Sequence, residues 1–233
     1  MTGLKRCWQG KTEGMKNDTV RGGQRGLILL GALLCSLSAC AGREAPVLPG
    51  NALPVPIVRQ SAGYTCGAAA LLAALYYWQV YEGNESGLTR LTGTTPAEGT
   101  TPQGIVKGAQ KYGLTAGYRE NVTVAELKAA LGRGETVIID IQAWPDKPDE
   151  MSWAKRREDG HYIVLTGLDE KFAYFMDPSV GTGYTYIPLA ELPERWHDYE
   201  NTKAGVWENE RLAIFIGGKN PLKKYPAALT PTR

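Results

Sequence analysis

Four residues of this 233-residue chain have the types and the order that acyl transfer by a thiol requires: Gln60, Cys66, His161 and Asp177. Cysteine supplies the nucleophile, histidine holds and returns a proton, and a carboxylate fixes the tautomer of the imidazole. A glutamine amide can donate an N–H to the oxyanion that develops on the attacked carbonyl, helped by the backbone N–H of the cysteine. These four residues are the candidate catalytic set.

Cys66 directly precedes an apolar segment that predicts a helix. Residues 69–78 are rich in alanine and leucine, and we expect the helix to run from about Cys66 to Tyr81, ending before Gly83. A thiol at a helix N-terminus lies at the positive end of the peptide dipoles, which favours the thiolate that attacks.

The first forty residues have the pattern of an export signal. An apolar segment, residues 27–34, follows several basic residues and is too short to span a bilayer, which needs about 20 residues. The basic residues nearest to it are Lys16, Arg21 and Arg25. Residues 1–14 make the region before the apolar segment unusually long, so Met15 is a candidate for the true start.

Residues 37–40, Leu-Ser-Ala-Cys, resemble the lipobox of bacterial lipoproteins. In those proteins the signal peptide is removed before the cysteine, which then carries the lipid. The resemblance implies a signal peptide over residues 1–39, lipidation of Cys40, and an exported protein anchored to a membrane of the periplasm or cell envelope. The alternative is an ordinary secretory signal with an incidental cysteine.

Removal of the leader changes both the charge and the cysteine content of the chain. The whole chain carries +2, and residues 1–39 contain six basic and two acidic residues, so the mature chain carries −2. No nucleic-acid partner is therefore expected. With Cys7 and Cys35 removed and Cys40 acylated, Cys66 is the only free thiol, which makes it a candidate reactive cysteine. A buried cysteine that only packs is the alternative.

The mature chain divides into three parts by composition. Residues 40–54 contain several prolines and glycines and are predicted to form a tether. Residues 55–218 are predicted to form one folded domain, and residues 219–233 an exposed tail.

Helices precede strands within the domain, which predicts an α+β fold. A second helix is predicted over 101–112, with Gly113 as its stop, and a third over 123–132, with a capping box at its start. The predicted strands are Thr136–Gln142, His161–Leu168, Phe172–Met176, Tyr184–Ile187 and Leu212–Ile216.

His161 and Asp177 flank the arms of a predicted β-hairpin. Both are equally far in sequence from Asp169, in the polar connection, so a hairpin centred there would place them opposite each other. Their Cβ atoms would be about 5 Å apart, which allows contact between carboxylate and imidazole. His197, the only other histidine, is a less favoured base because it lies in a polar stretch.

Other residues are candidates for substrate contacts. The segment from Trp144 to Gly160, which also contains Trp153, directly precedes His161 and is expected to overhang the cleft; a surface loop pinned by one tryptophan is the alternative. Gly67, beside the nucleophile, is a further candidate.

Two histidines and one free cysteine do not make a ligand cluster at zinc spacing, so no metal or other cofactor is expected.

Three local motifs together resemble the papain-like cysteine peptidases that process double-glycine leader peptides of bacteriocins, in a stand-alone exported form. The motifs are Gln60 through Cys66-Gly67, His161-Tyr162 and Asp177-Pro178. The resemblance implies a papain-like fold, with N-terminal helices packed on a C-terminal antiparallel sheet. It also implies a Cys-His-Asp triad with Gln60 in the oxyanion hole. One departure is Thr65, which stands where leader-cleaving members often have aspartate.

The expected function is that of a lipid-anchored cysteine peptidase acting on a secreted or periplasmic polypeptide. Its expected partners are a peptide or protein substrate, the membrane through Cys40, and in one interpretation a secretion or assembly machinery. Two alternatives use the same residues: an amidase or transpeptidase acting on cell-envelope peptides, and a peptide-binding module without turnover.

Overall fold

The structure, a computed structural model, describes residues 46–144, 151–202, 205–226 and 229–231. In these ranges the helices are α1 (Cys66–Tyr77), α2 (Glu85–Thr92), α3 (Pro102–Lys111), α4 (Val124–Gly132) and α5 (Leu192–Arg195), with a 3-10 turn at Trp153–Lys155. The strands are β1 (Thr115–Arg119), β2 (Thr136–Gln142), β3 (Gly160–Leu168), β4 (Phe172–Met176), β5 (Tyr184–Pro188), β6 (His197–Thr202), β7 (Gly205–Glu210), β8 (Ala213–Gly217) and β9 (Leu229–Pro231). The predicted α+β class, with helices first and a large sheet after them, is confirmed.

Seven of the described strands form one sheet, in the order β1-β8-β2-β3-β4-β5-β9. Neighbouring strands are antiparallel except β5 and β9, which are parallel. Strands β6 and β7 pair separately as an antiparallel hairpin. The strand that carries His161, β3, therefore lies at the centre of the large sheet, where its neighbours on both sides restrict its movement.

Both faces of the sheet are covered, which explains why its central strands are apolar throughout. Every residue of β2 is buried. Ile138 joins the core around α1, whereas Val137 and Ile139 join the core around Leu127 of α4. Successive residues of a strand point to opposite faces, so one continuous apolar strand fills both cores.

Helix α1 lies inside the first core and packs against β3. All of its residues except Tyr76 are buried, and it is apolar on every side, as a fully enclosed helix must be. The helix ends at Tyr77, about one turn before the predicted end at Tyr81, so that prediction was wrong. The reason is Gln79, whose left-handed backbone, with φ of 56°, ends the helix.

The predicted second and third helices are confirmed as α3 and α4. Each begins after a threonine whose hydroxyl accepts a backbone N–H: Thr101 from Gly104, and Thr123 from Glu126 in the predicted capping box. The left-handed conformation of Gly113, with φ of 77°, follows α3. Helix α2 was not predicted; Asn84 caps its start and Gly93, with φ of 73°, its end.

The described part of the predicted tether, residues 46–54, packs on the domain. Leu53 is buried, and its N–H donates to the carbonyl oxygen of Thr166 at 2.7 Å. The Tyr184 hydroxyl donates to the carbonyls of Leu53 and Val55 at 3.3 and 2.7 Å. Residues 40–45 lie outside the described ranges.

The predicted exposed tail, residues 219–233, is in part a docked segment. The N–H of Leu222 donates to the carbonyl of Tyr77 at 2.6 Å, and Leu229–Pro231 adds β9 to the sheet. Leu222 and Leu229 are partly buried against the core. The correction has a simple cause, since these apolar side chains lose contact with water when the segment docks.

Candidate active site

Cys66 is the first residue of α1, and its side chain is buried to 6% exposure. The preceding residue, Thr65, does not cap the helix, because its hydroxyl donates to the carbonyl of Ala62 at 3.0 Å and accepts the N–H of Ala62 at 3.2 Å. The helix N-terminus around the thiol therefore keeps N–H groups that no side-chain cap occupies. Such groups favour a thiolate and can stabilise an oxyanion.

His161 and Asp177 form a buried pair. The Nε2 of His161 lies 2.8 Å from Oδ1 of Asp177, and neither side chain is exposed. The same oxygen accepts the N–H and the hydroxyl of Ser179 at 2.9 and 2.7 Å. Burial alone would raise the pKa of Asp177, but the His161 charge and these hydrogen bonds outweigh it and lower that pKa. The carboxylate is therefore held ionised in a site without water contact.

Cys66 contacts the other side of the same imidazole by a hydrogen bond. Because Nε2 of His161 is engaged by Asp177, the nitrogen that faces Cys66 is Nδ1. Burial disfavours the imidazolium and by itself would lower the pKa of His161. The charge and hydrogen bond of Asp177, together with the hydrogen bond and charge of Cys66, outweigh burial and raise this pKa from 6.5 to about 9. Near neutral pH the arrangement is suited to a thiolate and imidazolium pair.

The hairpin that joins His161 to Asp177 differs from the predicted one in register. Val164 pairs with Met176, so His161 and Asp177 are diagonal neighbours rather than directly opposite, and the predicted register was wrong. The turn is centred after Glu170 rather than at Asp169, because Asp169 donates its N–H to the carbonyl of Phe172 at 3.0 Å and Gly167 pairs with Tyr174. A bulge between Leu165 and Gly167 then moves the register one residue back toward the predicted one. The long imidazole side chain still reaches the carboxylate across the diagonal.

Gln60 lies beside the segment that carries Asp177. Its backbone N–H donates to the carbonyl of Pro178 at 2.8 Å, and its side-chain Nε2 donates to the carbonyl of Ala62 at 2.9 Å. The next residue, Ser61, donates its N–H to Oε2 of Glu85 at 2.9 Å, which ties the loop to α2. One N–H of the Gln60 amide is therefore bonded within its own loop, and that loop is tied both to the segment after Asp177 and to α2.

Trp144 contacts His161 directly. The two rings are edge to face, with centroids 4.3 Å apart. Trp144 also has a φ of 43°, which is unusual for a bulky residue and is typical of strained positions near functional sites. The expected substrate contact of Trp144 remains a prediction, but the structure adds a contact with the imidazole that the sequence did not reveal. Residues 145–150 of the predicted overhang lie outside the described ranges.

Trp153 contacts arginines. Its ring lies 4.0 Å from the guanidinium carbon of Arg195 and 5.3 Å from that of Arg156. Arg195 is only 2% exposed and donates to the carbonyl of Gln142 at 3.0 Å. Burial lowers the pKa of Arg195, and the negative charges of Glu191 and Asp177 oppose that shift. Sequence reasoning missed Arg195, since a single arginine in a four-residue helix carries no pattern.

Gly67, the predicted substrate contact beside the nucleophile, is buried between two elements. A Cβ there would lie 2.7 Å from Cβ of Thr100 and 3.0 Å from a ring carbon of Tyr162. The absence of a side chain at Gly67 is what allows α1 to approach β3 this closely.

His197, the less favoured base, is engaged elsewhere: its Nε2 lies 2.7 Å from Nη1 of Arg157 and 2.8 Å from the carbonyl of Arg156.

Some predictions fall outside this site. Cys40 and the leader precede the described residues. Among the described residues, no group of three or more histidine, cysteine, aspartate or glutamate side chains could hold a metal ion. No helix in the described ranges has the length and apolar composition needed to cross a membrane.

Comparison with known proteins gives a match to a family. A family model described as the Peptidase_C39 like family matches residues 52–204, which include all four candidate catalytic residues. An uncharacterized protein of Methanothermobacter marburgensis is 29% identical over 126 residues, covering 54% of this chain and 72% of that protein.

Solved structures align with this chain at low sequence identity. A Bacillus anthracis protein described as a C39-like peptidase aligns with a TM-score of 0.52 and 18% identity, over 71% of this chain and 96% of that one. The peptidase domain of Streptococcus ComA, described as a bifunctional ABC transporter of a quorum-sensing pathway, aligns with a TM-score of 0.48 and 20% identity, over 71% and 99% of the two chains. The Bacillus anthracis structure supports the papain-like peptidase fold.

Proposed function

Because the chain belongs to the Peptidase_C39 like family, we propose that it is a cysteine peptidase that cleaves an exported polypeptide through Cys66, His161, Asp177 and Gln60. Family and fold support the peptidase class. One observation carries the finer assignment: the His161 imidazole is hydrogen-bonded to Asp177 on one side and to Cys66 on the other. A cysteine that only packs in a core has no need of a buried imidazolium beside it.

The first half of the reaction forms a thioester. The Cys66 thiolate attacks the carbonyl carbon of the scissile bond, and the oxyanion accepts N–H groups from Gln60 and from the start of α1. The His161 imidazolium then gives its proton to the leaving amine, so the C–N bond breaks and the acyl group stays on sulfur. Asp177 holds the ring so that Nδ1 faces the sulfur and the amine.

The second half releases the acyl group. His161, now neutral, accepts a proton from water, which attacks the thioester carbonyl. The carboxylic acid product leaves, and the proton on His161 restores the ion pair with the Cys66 thiolate. Asp177 stabilises the imidazolium in both halves without itself becoming protonated.

We further propose that the enzyme is exported and lipid-anchored through Cys40, at the periplasm or cell envelope. The support is the basic and apolar leader followed by the Leu-Ser-Ala-Cys sequence at residues 37–40. A tethered peptidase would act on polypeptides that pass through or assemble in the envelope.

The test is digestion of a diverse peptide library by the purified protein in water enriched in heavy oxygen, followed by mass spectrometry. We expect new C-termini that carry one heavy oxygen atom, and a loss of about 10³-fold or more in rate for Cys66→Ala and His161→Ala. Glu170→Gln, an exposed carboxylate on the β3–β4 turn, is the matched control. Cleavage at an unchanged rate in Cys66→Ala would refute the proposal, and joined peptides without heavy oxygen would identify a transferase instead.

A further inference from the structure

Arg195, in the short helix α5, is the one lysine or arginine that is buried among the residues that the structure describes. Removing a guanidinium from water costs free energy unless other groups offset the lost hydration of its charge. The groups around Arg195 therefore indicate what this buried charge does.

Hydrogen bonds and a ring contact fix the guanidinium. Its Nε donates to the carbonyl oxygen of Gln142 at 3.0 Å, and its Nη1 donates to Oε1 of Glu191 at 3.0 Å. The ring of Trp153 lies 4.0 Å from the guanidinium carbon. The remaining nitrogen, Nη2, is buried and has no hydrogen-bond partner among the described residues. Because the side chain of Glu191 is 33% exposed, solvent screens its charge, and Glu191 offsets the buried guanidinium only in part.

The guanidinium lies next to the strand that carries the proposed base. Gln142, which accepts the hydrogen bond from Nε, pairs with Gly160 in the β2–β3 ladder, and Ile141 pairs with His161. Neighbouring strands are about 5 Å apart. The hydrogen bond to Gln142 therefore holds the charge of Arg195 at the strand directly beside that of the imidazole.

Asp177 interacts electrostatically with Arg195. The negative charge of Asp177 opposes the effect of burial on the pKa of Arg195. Such an interaction is mutual, so the positive charge of Arg195 favours the ionised form of Asp177. Oδ1 of Asp177 is engaged by His161 and Ser179, whereas Oδ2 is buried without a hydrogen-bond partner among the described residues. A positive charge therefore stabilises this carboxylate beyond what those hydrogen bonds supply.

The proposed catalytic set needs a positive charge of this kind. With Cys66 as thiolate, Asp177 as carboxylate and His161 as imidazolium, the set holds two negative groups and one positive group. The side chains of His161 and Asp177 are not exposed, and Cys66 is 6% exposed. A net negative charge in such a site is unfavourable unless a cation lies nearby.

We propose that Arg195 is a positioning residue for Cys66, His161 and Asp177: its buried positive charge offsets the net negative charge of this set and stabilises the thiolate. The inference rests on the proposed function and names a residue that tunes the same site. Arg195 acts through Asp177 and through the field of its charge, and takes no part in bond making.

Other charged groups also surround this region. They come from α5, from the segment before β3 and from β6: Glu191, Arg156, Arg157, Asp159, His197 and Asp198. All of them stay the same when position 195 alone is changed. A difference between Arg195→Lys and Arg195→Gln therefore reports the charge at that position.

The test measures alkylation of Cys66 by iodoacetamide across pH in the purified protein. Loss of a nearby cation raises the pH at which the thiolate forms, so in Arg195→Gln we expect the midpoint of alkylation to rise by roughly half a pH unit or more. Arg195→Lys keeps the charge but not the planar fork, so the midpoint should stay within about 0.2 pH unit of the native one while the free energy of unfolding falls. A role in packing alone would lower stability in both variants and move neither midpoint.

Glu191→Gln should shift the midpoint in the opposite direction. It removes a negative charge that offsets Arg195, so the midpoint moves to lower pH, and by less because Glu191 is partly exposed. Arg133→Gln, an exposed arginine paired with Glu135, is the matched control and should leave the midpoint unchanged. Should Arg195→Gln fail to fold, Glu191→Gln decides: a lowered midpoint supports the role of Arg195, and an unmoved one overturns it.

Alkylation needs no peptide, which separates this inference from the proposed function. A midpoint that neither Arg195→Gln nor Glu191→Gln moves, in a protein that cleaves peptides, overturns the role of Arg195 and leaves the peptidase proposal intact. A midpoint that rises in Arg195→Gln but not in Arg195→Lys, in a protein that cleaves no peptide, supports the action of Arg195 on the thiolate and overturns the peptidase proposal.

Discussion

At the scale of single residues, the proposed chemistry depends on one imidazole between two partners. His161 is fully buried, so its ionisation is controlled by Asp177 and Cys66 rather than by solvent. The residue types were predicted from the sequence because each has a distinct chemical role. The contacts of Trp144 and Arg195 were not, since neither a ring contact nor a buried guanidinium follows from spacing along the chain.

Asp177→Asn removes the charge that keeps His161 protonated. We expect kcat/KM at neutral pH to fall roughly 10³-fold or more, as when the orienting acid of a triad is lost. The alkaline limb of the pH profile, near pH 9 in the native protein, should move to lower pH because the raised pKa of His161 depends on Asp177. Ser179→Ala, which removes one hydrogen bond but no charge, should shift the limb less. An unmoved alkaline limb in Asp177→Asn would contradict the assignment.

The same raised pKa makes stability depend on pH. The folded protein holds a proton on His161 that the unfolded chain releases near pH 6.5, so this contribution is complete below pH 6.5 and is lost as pH rises toward 9. Urea unfolding from pH 6 to 9.5 should therefore show a decline in the free energy of unfolding that His161→Gln lacks. Parallel curves for the two proteins over this range would mean that His161 is not paired in the folded state.

At the scale of elements, the sequence was informative where burial leaves a pattern. Helices α3 and α4 were predicted from their threonine caps and stops, and β2 and β4 from runs of apolar residues. Strands β1, β6 and β7 were missed because they carry mostly polar residues and lie at an edge or outside the large sheet. The hairpin register was missed because the turn is centred after Glu170 rather than at Asp169, and nothing in the polar connection of the sequence marks that position.

The close approach of α1 to β3 gives a prediction about Gly67. Gly67→Ala places a methyl group against Thr100 and Tyr162, so we expect a loss of about 1–3 kcal/mol in the free energy of unfolding, together with a displaced Cys66 and slower alkylation. Gly132→Ala is the matched control, since a methyl group at the end of α4 meets nothing within 4 Å. Equal stability of the two variants in urea unfolding would show that a methyl group at position 67 fits beside Thr100 and Tyr162 without cost.

At the scale of the whole molecule, the proposed leader and lipid anchor place the proposed chemistry at the cell envelope. The proposed attachment to the membrane is through a lipid on Cys40. Cys40→Ser should move the protein from the membrane fraction to the soluble fraction of the cell envelope without changing the activity of the purified enzyme. Retention of the variant in the membrane fraction would show that another part of the chain, or a partner, anchors it.

Ionisation of the Cys66 thiol by His161 is tested by alkylation with iodoacetamide across pH. We expect Cys66 to react at pH 6 at a substantial fraction of its rate at pH 8, and His161→Ala to remove this reactivity. A rate that rises with a midpoint near pH 8.5, as for an ordinary thiol, and that is the same in both proteins would contradict it.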